Sequence, residues 1–173
     1  MKDQQKRKIN LDSLCHLKEQ WFDIRIATDG RWFHEGGEIF RIELVKLFAS
    51  ILFRDEDGDY WLATPAEKGR IKVEDVPFVV IDMAITIGDI SKSNEIVFFT
   101  SLDDKIVLDA TSPLQLVYSK RTRDLRPYIE VRDGLLARLS RPVYYQLAEH
   151  AEEGPNGRLG VWSHKQFFDL ESR

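Results

Sequence analysis

Two kinds of side chain recur along this sequence in a way that could do chemistry. The cations Arg41, Lys68, Arg126, Arg132 and Arg138 could grip an anion, and the rings of Trp32, Tyr60, Tyr128 and Trp162 could stack on a flat ligand. Forked guanidinium donors suit an anionic group, and a π-face suits a flat ring. His34, Thr64 and Glu67 add hydrogen-bonding groups to the same candidate set. Each residue also has a structural alternative: Trp32, Tyr60 and Trp162 as strand or core packing, and Arg132 as the ion-pair partner of Glu130 or Asp133.

Reaction chemistry is less well supported. Thr64, Glu67, Lys68, His34 and Asp104 could be assembled into acid–base catalysis, but four scattered histidines, no Ser–His–Asp spacing and no P-loop leave no named reaction. His34-Glu35 with Glu38 invites a zinc reading. An HExxH site needs a second histidine on the same helix face, and Gly36-Gly37 opposes a helix there. The acidic run Asp55 to Asp59 resembles a calcium loop, yet Gly58 is not sixth from Asp55 and Ala66 stands where the twelfth-position glutamate belongs. Cys15 and His16 are neighbours that a helix would point in different directions, so Cys15 reads as a small buried residue. The chain is therefore read first as a binding protein without metal or cofactor, with an enzyme kept as the third reading.

Composition sets the frame. With 43% apolar and 31% charged residues over 173 positions, the chain is an ordinary globular protein that buries its core without staples. A formal charge of −4 opposes a general nucleic-acid binder, whose affinity comes from neutralising phosphates. It leaves room for a small anion held by a few local cations. The apolar runs are far short of the ~20 residues that span a bilayer, so no membrane role is expected. The basic N-terminus lacks the apolar core of a secretory signal, and the lone cysteine cannot form an internal disulfide. Both point to the cytoplasm.

The elements that must position these side chains follow from periodicity. A polar tail over residues 1–10 leads to a short amphipathic helix from Leu11 through Leu14, Cys15 and Leu17 to Trp21. Strands over 23–27 and 32–39 meet at Asp29-Gly30, which supplies the positive φ angles of a tight hairpin, with a turn or bulge at Gly36-Gly37. Residues 42–54 form the best helix, with a stripe of Leu44, Leu47, Phe48 and Ile51 widened by Val45 and Leu52. Strands over 60–64, 70–73, 76–87, 95–100, 105–109 and 114–118 read as an antiparallel meander, with a polar turn over 88–94. After a charged loop over 119–126, a hairpin over 127–139 turns at Asp133-Gly134. A second helix begins near Ser140 with Pro142 in its first turn, and its stripe is Tyr144, Leu147, Ala148 and Ala151. A last hairpin crosses Ser163-His164-Lys165.

The two helices share a pattern. A shift of 100 residues carries the first stripe onto the second and Arg41 onto Arg141, and the order hairpin, helix, glycine turn, aromatic strand recurs. This predicts an α+β protein of two small lobes with antiparallel sheets, built from a duplicated β-β-α-β-β unit. The segments expected are a tail and short helix (1–22), an N-terminal lobe (23–88) and a C-terminal lobe (89–173). Arg41 and Arg141 would then each stand at a helix N-terminus, where unpaired N–H groups favour an anion, unless a carboxylate such as Glu38 or Glu43 takes Arg41 first.

Several segments taken in order resemble an uncharacterised bacterial family, domain of unknown function 1285. They are RIATDGRWFHEGGEIFR (Arg25 to Arg41), LVKLFASIL (Leu44 to Leu52), YWLATPAEKGRIKVEDVPF (Tyr60 to Phe78), SLDD (Ser101 to Asp104), RPYIEVRDGLLARLSRPVYYQLAE (Arg126 to Glu149) and GVWSHKQFF (Gly160 to Phe168). Ser112-Pro113-Leu114 departs from the His-Pro-Leu expected there. The resemblance implies two lobes with duplicated cores, the second pleckstrin-homology-like, and a small ligand, a nucleotide among the candidates, bound between them with a suggested part in signal transduction. The alternative is a protein-interaction module that docks peptides on a strand edge.

Overall fold

The computed structural model describes residues 17–88, 92–118 and 124–171. The chain divides into two compact units, Met1–Asp75 and Val76–Arg173. The polar tail, Cys15, His16 and most of the expected first helix lie outside the described residues, as do parts of the 88–94 turn and the 119–126 loop. Trp21, the last residue of that expected helix, belongs instead to a strand and is 61% exposed. Among the described residues no helix is long and apolar enough to cross a membrane.

Unit 1 opens with β1 (Glu19–Ile26), which turns through residues 27–31 into β2 (Trp32–His34) and then β3 (Gly37–Glu38). The first connection is longer than the expected two-residue turn, and of its residues only Gly30 takes a positive φ, 85°. Ala27 closes it, its N–H donating to the Arg31 carbonyl and its own carbonyl accepting from Gly30. Glu35 and Gly36 both adopt positive φ, 49° and 79°, the pairing a two-residue hairpin needs to match strand twist.

The helix α1 spans Ile42–Ser50, shorter than expected, because Leu52–Arg54 forms β4. Leu52 is 2% exposed and sits opposite Leu62 of β5 (Tyr60–Ala63), so an apolar position compatible with either helix or strand is claimed by the ladder. The buried stripe is Val45 and Ala49 rather than Leu47, which is 58% exposed. Phe48 stacks on Trp32 of β2 at 6.3 Å between centroids. β6 (Lys68–Val73) pairs antiparallel with β5 and parallel with β1, from Glu19 opposite Lys68 to Ile26 opposite Val73. The sheet order is therefore β3-β2-β1-β6-β5-β4.

Unit 2 carries β7 (Phe78–Thr86), β8 (Glu95–Thr100), β9 (Lys105–Val107), β10 (Gln115–Tyr118), β11 (Leu125–Arg132) and β12 (Leu135–Leu139) in the order β10-β11-β12-β7-β8-β9. β12 and β7 run parallel, so each unit breaks the all-antiparallel expectation with one parallel pair. The division between units falls ahead of the expected 88/89 because β7 finds its partners, β8 and β12, further along the chain. Asp133 and Gly134 make the expected two-residue turn, at φ 44° and 76°.

The helix α2 (Arg141–Ala148) follows, with Ser140 at its N-cap and Pro142 in its first turn. Its buried residues are Val143 and Leu147. Ala148 is exposed and Ala151 lies past the helix, so the expected stripe is out of register. The buried pairs Val45/Ala49 and Val143/Leu147 are related by a spacing of 98, not 100. The chain ends in a separate three-stranded antiparallel sheet of β13 (Glu152–Glu153), β14 (Leu159–Ser163) and β15 (Gln166–Asp169). Each unit thus contains the order hairpin, helix, three-stranded meander. Side chains such as Ile26 and Leu62 in unit 1 and Phe98, Ile129 and Leu147 in unit 2 are buried to 2% exposure or less, each worth about 1.5–3 kcal/mol.

Candidate functional site

The expected ligand residues are placed in several different settings. In unit 1, Trp32 is 2% exposed and belongs to the core, its indole N–H buried without a partner among the described residues. His34 is exposed on β2, beside the turn. Arg41 stands exposed at the N-cap of α1 with no side-chain capping bond, and Glu38, one candidate partner for it, is taken by Arg31 at 3.0 Å. Thr64 is spent on the β5–β6 turn: its hydroxyl accepts from the N–H groups of Ala66 and Glu67 and donates to the Glu67 carbonyl. Lys68 pairs with Glu19 at 3.2 Å and lies over the Trp61 ring at 5.4 Å.

Arg70 flanks the same indole at 5.2 Å and pairs with Asp59 at 2.6 Å. Trp61 in turn donates its N–H to Asp55 at 2.7 Å. Burial pushes the Asp55 carboxyl up, but the Trp61 indole N–H and the backbone N–H groups of Asp59 and Gly58 outweigh it and hold the group below its usual value. The acidic turn is thus held by its own hydrogen bonds. Tyr60 next door is half-buried, and that burial, helped by Asp75 and opposed by Arg54, raises its phenol. These residues make a tied structural cluster.

Unit 2 brings Arg126, Tyr128 and Arg138 together. Arg126 and Tyr128 alternate along β11, and Tyr128 sits opposite Arg138 of β12, so all three share one sheet face. Tyr128 is buried, and all three side chains or their backbones have partners. Arg132 lies against Asp104 at 3.6 Å and over the Phe78 ring at 5.1 Å. Asp104 also accepts from the Thr100 hydroxyl at 2.9 Å.

Trp162 is the expected residue that faces a cavity. The hollow has a volume of about 300 Å³ and is walled by Ile85, Ile87, Ile96 and Val161 with the Trp162 ring, while Asn94, His150 and Glu152 supply its polar edge. Its frame is built by the β14–β15 turn. His164 and Lys165 there take the left-handed region, φ 49° and 64°, unusual for side chains larger than glycine. Their N–H groups donate to the carbonyls of Asn94 and Lys92 at 2.8 and 2.9 Å, which holds the turn against the end of the β7–β8 hairpin. The Ser163 hydroxyl, fully buried, accepts from the Ile96 N–H at 3.2 Å. The Lys92 ammonium lies 4.1 Å from the centroid of Trp162, and Phe167 packs on that indole at 5.2 Å.

The sequence pointed to Trp162 but not to Lys92, Asn94, His150 or Glu152. These come from a polar turn, a helix end and a two-residue strand, and no local pattern relates them. Among the described residues no three His, Cys, Asp or Glu side chains converge as a metal site requires.

Fold and cavity together define a two-unit α+β protein, mostly antiparallel, with one sheet in the first unit, two in the second and, among the described residues, one α-helix in each. The chain belongs to the DUF1285 family. Residues 18–76 match its N-terminal domain, described as a domain of unknown function, and residues 77–170 match its C-terminal domain, described as a protein of unknown function. The two matches meet within a residue of the division between the units. The structure is similar to that of a DUF1285 family protein from Silicibacter pomeroyi DSS-3, at 36% identity and a TM-score of 0.80 over 89% of this chain and 81% of that one. It is also similar to a DUF1285 family protein from Shewanella baltica OS155, at 27% identity and a TM-score of 0.56 over 74% of this chain and 91% of that one. No curated protein matches the chain.

Proposed function

We propose that this is a cytoplasmic small-ligand-binding protein with a sensory role in signal transduction, and that its ligand enters the cavity beside Trp162 in the second, pleckstrin-homology-like unit. The recurrence of hairpin, helix and meander reflects duplication of one ancestral unit, of which the second copy has kept a hollow. One observation carries the reading: an isoleucine- and valine-walled space of about 300 Å³ gathers an indole and three polar side chains, and the Lys92 ammonium lies 4.1 Å from the centroid of that indole. That volume is at the small end of ligand pockets, and few convergent polar groups on apolar walls are their usual make-up.

A planar heterocycle fits this chemistry. Its face lies against apolar wall and indole, and its edge exchanges hydrogen bonds with Asn94, His150 and Glu152. Lys92, released from the Trp162 ring, receives an anionic group such as phosphate. A nucleotide has all three features. With a nucleotide panel, the matching compound at about 100 times its Kd adds about 2.7 kcal/mol, a rise in melting temperature of roughly 5–10 °C. Trp162→Ala removes the rise and Lys92→Ala reduces it. No shift with any nucleotide at millimolar concentration, together with no small molecule in native mass spectra of the purified protein, overturns the reading.

A further inference from the structure

Unit 2 has two strand edges whose counterparts in unit 1 are joined. In unit 1 the strand that opens the hairpins before the helix, β1, pairs with the strand that ends the meander after it, β6. β10 and β15 hold those places in unit 2, yet β10 ends one sheet and β15 ends the other, and no ladder joins them. A groove of about 510 Å³ is lined from the β10 side by Leu114, Leu116 and Tyr118 and from the other by the whole of β15.

Three features specify what fits. The Leu170 N–H donates to the Leu159 carbonyl, which makes that pair hydrogen-bonded. Alternation along the antiparallel ladder then turns the N–H and C=O groups of Phe167 and Asp169 away from β14, toward the open edge. Secondly, Leu114, Leu116 and Tyr118 alternate along the chain, so they line one side at the spacing of every second residue of a facing strand. Thirdly, the groove is negative. Arg158 is engaged by Asp169 at 2.7 Å and by the Glu171 carbonyl at 2.7 Å, and among the described residues the Glu171 carboxylate has a single partner, the backbone N–H of Leu159 at 3.3 Å.

We propose that this groove docks an extended segment of a partner protein, apolar at alternate positions and carrying lysine or arginine where it passes Glu171, which adds a strand to the free edge of β15. Main-chain hydrogen bonds supply affinity in this mode, and the side-chain strip and the carboxylate supply choice. The site is distinct from the Trp162 cavity, whose walls share no residue with it.

Fluorescence polarisation of the full chain with a labelled peptide alternating valine and threonine, lysine at both ends, tests the proposal. Saturable binding is expected. Glu171→Lys, or glutamate in place of the peptide lysines, should weaken it roughly two- to fivefold, as one exposed charge pair allows. N-methylation of alternate peptide nitrogens should abolish binding, and that control is independent of any protein variant. No binding at millimolar peptide, equal binding of the N-methylated peptide, or amide shifts on titration confined to residues outside 113–118 and 166–171 would each overturn the proposal. So would self-association through the groove, detected as a sedimenting dimer that Glu171→Lys dissociates, since the occupant would then be a second copy.

Discussion

The seam between β1 and β6 in unit 1 and the gap between β10 and β15 in unit 2 occupy the same place in the same order of elements, and one is closed while the other is open. Strand length differs as well. β1 and β6 run for eight and six residues and can sustain a ladder from Glu19 to Ile26, whereas β10 and β15 have four residues each. The side chains differ too. Gly69 of β6 lies under the Phe22 ring of β1, which fills the place a side chain there would need. In unit 2, Gly154 and Gly160 instead receive the Phe167 ring within the small sheet. A repeated order of strands and helix therefore leaves open whether a sheet closes, and the unit that stays open carries both the cavity and the groove.

Three experiments would break or sharpen this contrast, each with hydrogen exchange by mass spectrometry to read the units separately. The largest effect is expected at the helix anchors. Leu147 is fully buried, and Leu147→Ala should cost unit 2 about 2–5 kcal/mol, while the corresponding Ala49→Gly in unit 1 should cost about 1 kcal/mol. Equal costs would mean that the two helices carry equal weight. At the closed seam, a Cβ at Gly69 runs into the Phe22 ring, so Gly69→Ala should destabilise unit 1 by about 1–3 kcal/mol and loosen β1 amides first. Protection unchanged in β1 would show that the parallel ladder is not what closes the unit.

The smallest contrast concerns acid. Asp29, Asp55 and Glu74 in unit 1 have carboxyls held below their usual values, against Asp109 in unit 2. At Glu74 the Arg25 guanidinium leads and the Thr28 N–H follows, and at Asp109 the Thr111 hydroxyl and the Thr111 and Ser112 N–H groups prevail over burial. A carboxyl whose folded pKa is depressed contributes stability that is complete above its unfolded value and is lost as pH falls through the folded value. Acidification below about pH 4 should therefore weaken unit 1 before unit 2. Loss of protection in unit 2 first would contradict that assignment.

Much of the local structure was legible. Gly36 and Gly134 mark their turns because a positive φ is cheap for glycine, and Pro142 marks the start of α2 because proline lacks an N–H that the first turn does not use. The helix stripes were harder to read, because apolar residues surround Val45 and Val143 on more than one face and short helices bury only two of them. Leu52 was misread for the same reason, since a buried apolar side chain suits the end of a helix and a strand equally. The candidate site was legible at Trp162 alone. Its companions Lys92, Asn94, His150 and Glu152 sit in segments with no periodic signal.

Residue type and spacing alone thus determined the α+β class, the two helices and the main hairpin turns. These depend on interactions between residues close in sequence, which propensity and periodicity report. Tertiary structure decided the rest: which strands run parallel, where one unit gives way to the next, that Trp32 is core and Trp162 cavity wall, and that β1 pairs with β6 while β10 makes no ladder with β15. Those outcomes depend on pairing between segments far apart in sequence, which local patterns do not report.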